Sequence, residues 1–143
     1  MAILKFEDIE KLLKEEPDKA AKDLLKEIED MYGEVPYILK FMEDKPELLV
    51  SKIIYDTSIM REFNRLDHKT IELISIGVAA ALRCTHCLDM HIRIAKRMGI
   101  SHDEIFDAIL IAGTLSNASV LATGTRTLDK ELSDNKCSIC EIP

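Results

Sequence analysis

The 143-residue sequence predicts an all-α protein, one domain folded as a bundle of six or seven helices. Three observations carry that prediction. Hydrophobic residues make up 47% and charged residues 31%, while five Gly and four Pro are too few for the many turns of a β-rich chain. Apolar residues recur at i, i+3 and i+4 through most of the length. Helix starts and stops punctuate the chain where those patterns change.

Taken in order, residues 1–31 read as two charged amphipathic helices, with Asp, Glu and Lys on a solvated face. The first, about Phe6 to Lys14, has Phe6, Ile9, Leu12 and Leu13 at helical spacing and ends at Pro17; the second, about Asp18 to Met31, carries Leu24, Leu25 and Ile28. Gly33 is a helix stop, and Pro36 restarts the chain for a short helix, Tyr37 to Met42. Pro46 opens a longer one to about Phe63, with Leu48, Leu49, Ile53, Ile54 and Ile59 as core candidates, and Asn64-Arg65-Leu66 is a turn. Asp67 is an N-cap for a helix over 68–82 that is apolar nearly all round and therefore expected at the centre, with Glu72 inside the apolar run. The next helix, 84–98, is closed by Gly99. Ser101 and Glu104 form a capping box for a last buried helix from Glu104 to about Thr127, whose small residues permit close helix contact within the chain or between subunits. The core is expected at about 33–127, with an irregular tail over 128–143 that holds Cys137 and Cys140.

A net charge of −7 argues against a nucleic-acid partner, because phosphate binding needs clustered Lys and Arg, and against an anionic membrane surface. The N-terminus has no basic segment followed by an apolar run, so no secretory signal is expected. The longest apolar candidate for a membrane span, Ile105 to Ala122, is interrupted by Asp107, Asn117 and three hydroxyl residues. These features predict a cytoplasmic protein. In that compartment two Cys-x-x-Cys pairs point to redox or metal chemistry before structural disulfides.

Reactive side chains crowd together in one stretch, Arg83-Cys84-Thr85-His86-Cys87-Leu88-Asp89-Met90-His91. At roughly 100° per residue, Cys84, Cys87 and His91 fall within about 60° of one another on a helix. Leu88, Ile94, Ala95 and Met98 share that inward face, whereas His86, Asp89, Arg93, Lys96 and Arg97 gather on the opposite, polar side. Cys84 and Cys87 sit in the first turn, where the helix dipole favours thiolate, and their spacing lets sulfenic acid on one thiol condense with the other. His91, at i+4 from Cys87, is near enough to exchange a proton with its sulfur. Glu72 would lie about 18 Å from Cys84 in a continuous helix. A reversal near Arg83 instead brings Glu72 to His91, and because an apolar helix buries a carboxylate at a cost, the hairpin is preferred.

The five residues Glu72, Cys84, His86, Cys87 and His91 match the pattern Glu-x11-Cys-x-His-Cys-x3-His. This pattern resembles that of the AhpD-like alkylhydroperoxidases of the carboxymuconolactone decarboxylase superfamily, with a looser likeness from about Gly33 to Thr127. The resemblance implies an all-helical fold assembled as trimers or hexamers, with thiol-dependent peroxidase or disulfide reductase activity and no bound cofactor. It implies Cys87 as the peroxide-attacking thiol, Cys84 as the resolving thiol, His91 and Glu72 as a proton relay, and His86 beside it. The reductant would be an external dithiol such as a lipoyl group or a thioredoxin-like protein. The chain is shorter than full-length peroxidases of that family, and Cys137-Ser-Ile-Cys140 belongs to no pattern of theirs.

Two other classes fit the same residues. Cys84, Cys87 and His91, with Glu72 or a tail cysteine as a fourth ligand, would make a zinc-binding or redox-sensing oligomer without catalysis. Glu72 and His91 alone would serve decarboxylase-like chemistry, although lactone decarboxylases of the superfamily generally lack the cysteine pair. His86, on the polar side, reads equally as a surface imidazole, and His68 and His102 read as solvent-exposed.

Overall fold

Helices account for all regular structure among the described residues, 6–62 and 65–133, of a computed structural model. They are α1 (Phe6–Leu12), α2 (Pro17–Tyr32), α3 (Tyr37–Phe41), α4 (Pro46–Thr57), α5 (His68–Ala81), α6 (Thr85–Arg97) and α7 (His102–Ser133), and a π-helical turn, Ser58–Glu62, continues α4. The all-α architecture is thus the one that composition and periodicity predict. Residue 64 of the expected turn and the tail pair Cys137 and Cys140 lie outside the described residues.

Two apolar cores form. In the first, α2 packs along α4, with Ala20, Ala21, Leu24, Leu25 and Ile28 buried against Leu39 of α3 and Leu49, Val50 and Ile53 of α4. Each large side chain buried there contributes roughly 1.5–3 kcal/mol. Pro17, expected as the end of α1, is the first residue of α2, where its missing N–H costs no hydrogen bond. The amphipathic reading of α2 holds, with Leu24, Leu25 and Ile28 on the face that supplies one wall of a core. In the second, α5 packs against both α6 and α7, burying Ile76, Ala95, Ile100 and Ile105. A side-chain oxygen of Asp67 accepts from the Thr70 N–H at 2.9 Å, which starts α5 where its N-cap predicts.

The two ends of α6 are built alike. At the end of α5 the Cys84 N–H donates to the Ala79 carbonyl (3.0 Å) and the Arg83 N–H to that of Ala80 (3.1 Å). At the end of α6 the Ile100 N–H donates to Ala95 (3.0 Å) and the Gly99 N–H to Lys96 (3.1 Å). Both are Schellman turns, which require a left-handed residue. Gly99 takes it at φ 75°, but Arg83 takes it at φ 56° with a Cβ in place, which is why no glycine marks this reversal.

Several expectations are refined or corrected. The helix expected from Pro46 to about Phe63 runs as α4 to Thr57 and widens into the π turn to Glu62, residue 63 lying outside the described residues. α5 is central but not enclosed: Ile74 and Val78 are 49% and 51% exposed. α7 is expected to be buried, yet Ile105 is its one buried residue; it packs chiefly on α5, where Gly77 lies close to Ala108 and Ala112. α7 also runs past Thr127 to Ser133, so the start of the expected irregular tail is helical. The same helix is long and apolar enough, by length and composition, to cross a membrane, with a mean hydropathy of 1.6 over its most apolar stretch. Asn117 and the hydroxyl residues, diluted among Ala, Leu, Ile and Val, do not lower that mean as far as the sequence reading supposes.

Candidate functional site

Between the two cores lies a cavity of about 330 Å³. One side is chemical: Glu72 from α5, and His86, Cys87 and His91 from α6. The other is apolar, with Ile28, Tyr32, Ile38, Leu39 and Ile53 from α2 to α4 and Met60 from the π turn. Met90 and Ile94 of α6 complete it, and Asp56 and Thr57 edge it.

The reversal at Arg83 sets α6 antiparallel to α5, which brings a residue in the second turn of each into register. His91 Nδ1 and Glu72 Oε2 are 2.8 Å apart, a direct contact with no water between. With Nδ1–H donating to the carboxylate, Nε2 is left as the acceptor. Glu72 is completely buried and His91 is 16% exposed at its side chain, so the pair sits where solvent screens it least.

Cys84 and Cys87 are joined as a disulfide, with Cα atoms 5.4 Å apart, inside the normal range for a bridge. Cys84 is the N-cap of α6 and Cys87 lies in its first turn. The bridge therefore spans the end of a helix whose unpaired N–H groups favour a thiolate once it is reduced. Both cysteines are partly buried, and Cys87, not Cys84, lines the cavity with His91 and Glu72. No group of three His, Cys, Asp or Glu side chains among the described residues is arranged to hold a metal ion.

His86 is exposed, on the polar side of α6 as the periodicity predicts. It lines the cavity, and its Nε2 accepts a hydrogen bond from the Tyr37 N–H at 3.4 Å. The polar side of α6 meets chain, not only water: the Arg93 guanidinium donates to the Glu34 carboxylate, and Arg97 Nη1 donates to the Met31 carbonyl at 2.6 Å. His102 is likewise exposed as read.

What the sequence reading missed is the apolar wall. Tyr32, Ile38, Leu39 and Met60 stand far from the cysteines along the chain, and as apolar residues of different helices they carry no mark of a shared cavity. One local signal existed, the Gly33 and Pro36 break. Gly33 takes φ 82°, where an L side chain would be strained, and a Cβ there would lie 3.1 Å from the Arg97 guanidinium and press on it.

The chain is similar to "Uncharacterized protein 4 in cox locus" of Paracoccus denitrificans, at 27% identity over 85 residues, 59% of this chain and 71% of that one. The profile of the carboxymuconolactone decarboxylase family matches residues 53–127, which take in Glu72, Cys84, His86, Cys87 and His91. With more than half its length so matched and an all-helical fold built around the α5–α6 hairpin, the chain belongs to the carboxymuconolactone decarboxylase family.

Proposed function

We propose that the protein is a thiol-dependent peroxidase, or a disulfide reductase running on the same couple. The observation that carries this reading is that Cys87, bonded to Cys84, shares one cavity with the His91–Glu72 pair. In the reduced protein the Cys87 thiolate attacks the terminal oxygen of a hydroperoxide. The O–O bond breaks, Cys87 becomes a sulfenic acid, and the departing alkoxide takes a proton that His91 passes on, with Glu72 holding the imidazole. The Cys84 thiolate then attacks the Cys87 sulfur, forming the disulfide, while the leaving hydroxide is protonated to water. An external dithiol, a lipoyl group or a thioredoxin-like protein, restores both thiols and leaves as a disulfide. His86 stands beside this path.

The cysteine pair favours this chemistry over decarboxylation, which needs no thiol. The exposed apolar side of α7 supports a homo-oligomer; a trimer or hexamer acting in the cytoplasm is part of the same proposal and rests on the family resemblance and the composition. Cys87→Ser is expected to abolish peroxide consumption, and Cys84→Ser to let sulfenic acid accumulate on Cys87, where a dimedone adduct seen by mass spectrometry reports it. Peroxide turnover that survives in both variants would overturn the reading.

A further inference from the structure

The wall that faces Cys87 is not made by the family-matched segment alone. Residues 28–39 precede that match, and they line the cavity through Ile28, Tyr32, Pro36, Ile38 and Leu39. From Gly33 to Phe41 the chain forms a strap that crosses α6. Its apolar anchors are Leu39, buried in the first core, and Val35, packed against that core, whereas Tyr37, Ile38 and Phe41 are 68%, 49% and 66% exposed. What holds it across α6 is polar. Arg97 binds the Met31 carbonyl just before the Gly33 hinge, Arg93 binds Glu34 just after it, and His86 accepts from the Tyr37 N–H at the start of α3.

We propose that this strap selects which electrophiles reach Cys87, admitting compact apolar ones, and that Arg93 and Arg97 are the positioning residues that set it. The inference rests on the reading of Cys87 as the reacting thiol. Exposed ion pairs and single hydrogen bonds stabilise a segment only weakly, so losing those from α6 lets the strap lift from it about the Leu39 anchor. Seated, the strap presents apolar side chains to the thiol and excludes water; lifted, it leaves the thiol facing solvent. Ile38, half exposed on the outside and lining the cavity within, is the wall residue through which the selection acts.

Thiol labelling tests this without any peroxide turnover. In the full-length protein carrying Cys84→Ser, Cys137→Ser and Cys140→Ser, Cys87 is the single thiol. Its rate is measured with hexyl and with 2-hydroxyethyl methanethiosulfonate, in which the thiolate attacks the sulfenyl sulfur, a mixed disulfide forms and methanesulfinate leaves. Both reagents are neutral, so the loss of two arginine charges does not bias the comparison. Normalised to the same ratio for free cysteine, the hexyl preference is expected to be about tenfold or more, as burial of a few methylenes gives. Arg93→Ala with Arg97→Ala is expected to lower it about fivefold, chiefly by speeding the hydroxyethyl reagent. Ile38→Ser, which leaves both arginines in place, is expected to lower it by slowing the hexyl reagent. A wild-type ratio equal to that of free cysteine overturns the proposal, as does an unchanged ratio in the double variant with its helical circular dichroism intact. If the double variant loses its helical signal, an unchanged ratio in Ile38→Ser overturns it instead. A protein that shows these ratios but consumes no peroxide keeps the strap and loses the peroxidase reading, and the reverse result does the opposite.

Discussion

Glu72 is completely buried in α5, and a carboxylate is stable there only if something meets it; His91 does, at 2.8 Å. The pair then has a chemical consequence, because an imidazole held at Nδ1 presents Nε2 in one orientation. Glu72→Gln keeps the volume and one hydrogen-bonding oxygen but removes the charge that steadies an imidazolium. It is expected to lower kcat for peroxide by about 10²-fold or more while the melting temperature moves little, measured by stopped-flow peroxide loss and by calorimetry. Four of the site residues, Cys84, Cys87, His91 and Glu72, were legible in the sequence, because their spacing is a local property of one helix and its predecessor. The contact His86 makes with Tyr37 was not. Helical periodicity sorts residues into inward and outward faces, and it carries no information about a second segment, here Tyr37, that folds over the outward one.

At the scale of elements, the α5–α6 and α6–α7 turns decide the site, since they fix which helix faces which. The second is reinforced by the capping box, in which Ser101 N–H and Oγ–H donate to the Glu104 carboxylate at 3.1 and 2.9 Å. Lys69 of α5 reaches the same carboxylate and ties the start of α7 back to the hairpin. Together these hold the Glu104 carboxyl at about 2, well below its ordinary 4.5, first through the Lys69 hydrogen bond and then through those of Ser101. A carboxyl whose folded pKa is depressed contributes stability that is fully present above the unfolded value and is lost as the pH falls toward the folded one. The melting temperature of the wild type is therefore expected to fall between pH 4.5 and 2 in part through this group. Glu104→Gln should be less stable at neutral pH, with a shallower decline over that interval, as followed by circular dichroism. An identical slope in the two proteins would show that the docking of α7 does not depend on this charge. Ser101 and Glu104 were readable as a box because a cap is local; Lys69 was not, because it comes from another helix.

For the whole molecule, the open side of α7 and α5 is an extended apolar surface. A groove of about 730 Å³ runs between them, and Ile74, Val78, Ile111 and Leu115 stand half exposed or more along it. An apolar surface of this extent on one chain is what an interface between copies would cover. Leu115→Glu is expected to convert an oligomer into a folded monomer, seen by light scattering after size exclusion in detergent-free buffer, because Leu115 is 65% exposed and not part of either core. Wild-type protein that is monomeric, or that leaves solution only with lipid vesicles, would contradict the homo-oligomer.

By itself the sequence determined the helical class, nearly every helix start, the inward face of α6 and the reactive residues on it, because composition, periodicity and caps act within a few residues of chain. The tertiary structure alone decided that Arg83 turns the chain in a left-handed conformation, that His86 meets α3, that α2 to α4 wall the cavity, and that α7 is left largely uncovered. Each of these is a contact, or a missing one, between segments far apart in sequence. Its free energy depends on what is packed opposite, which no local pattern encodes.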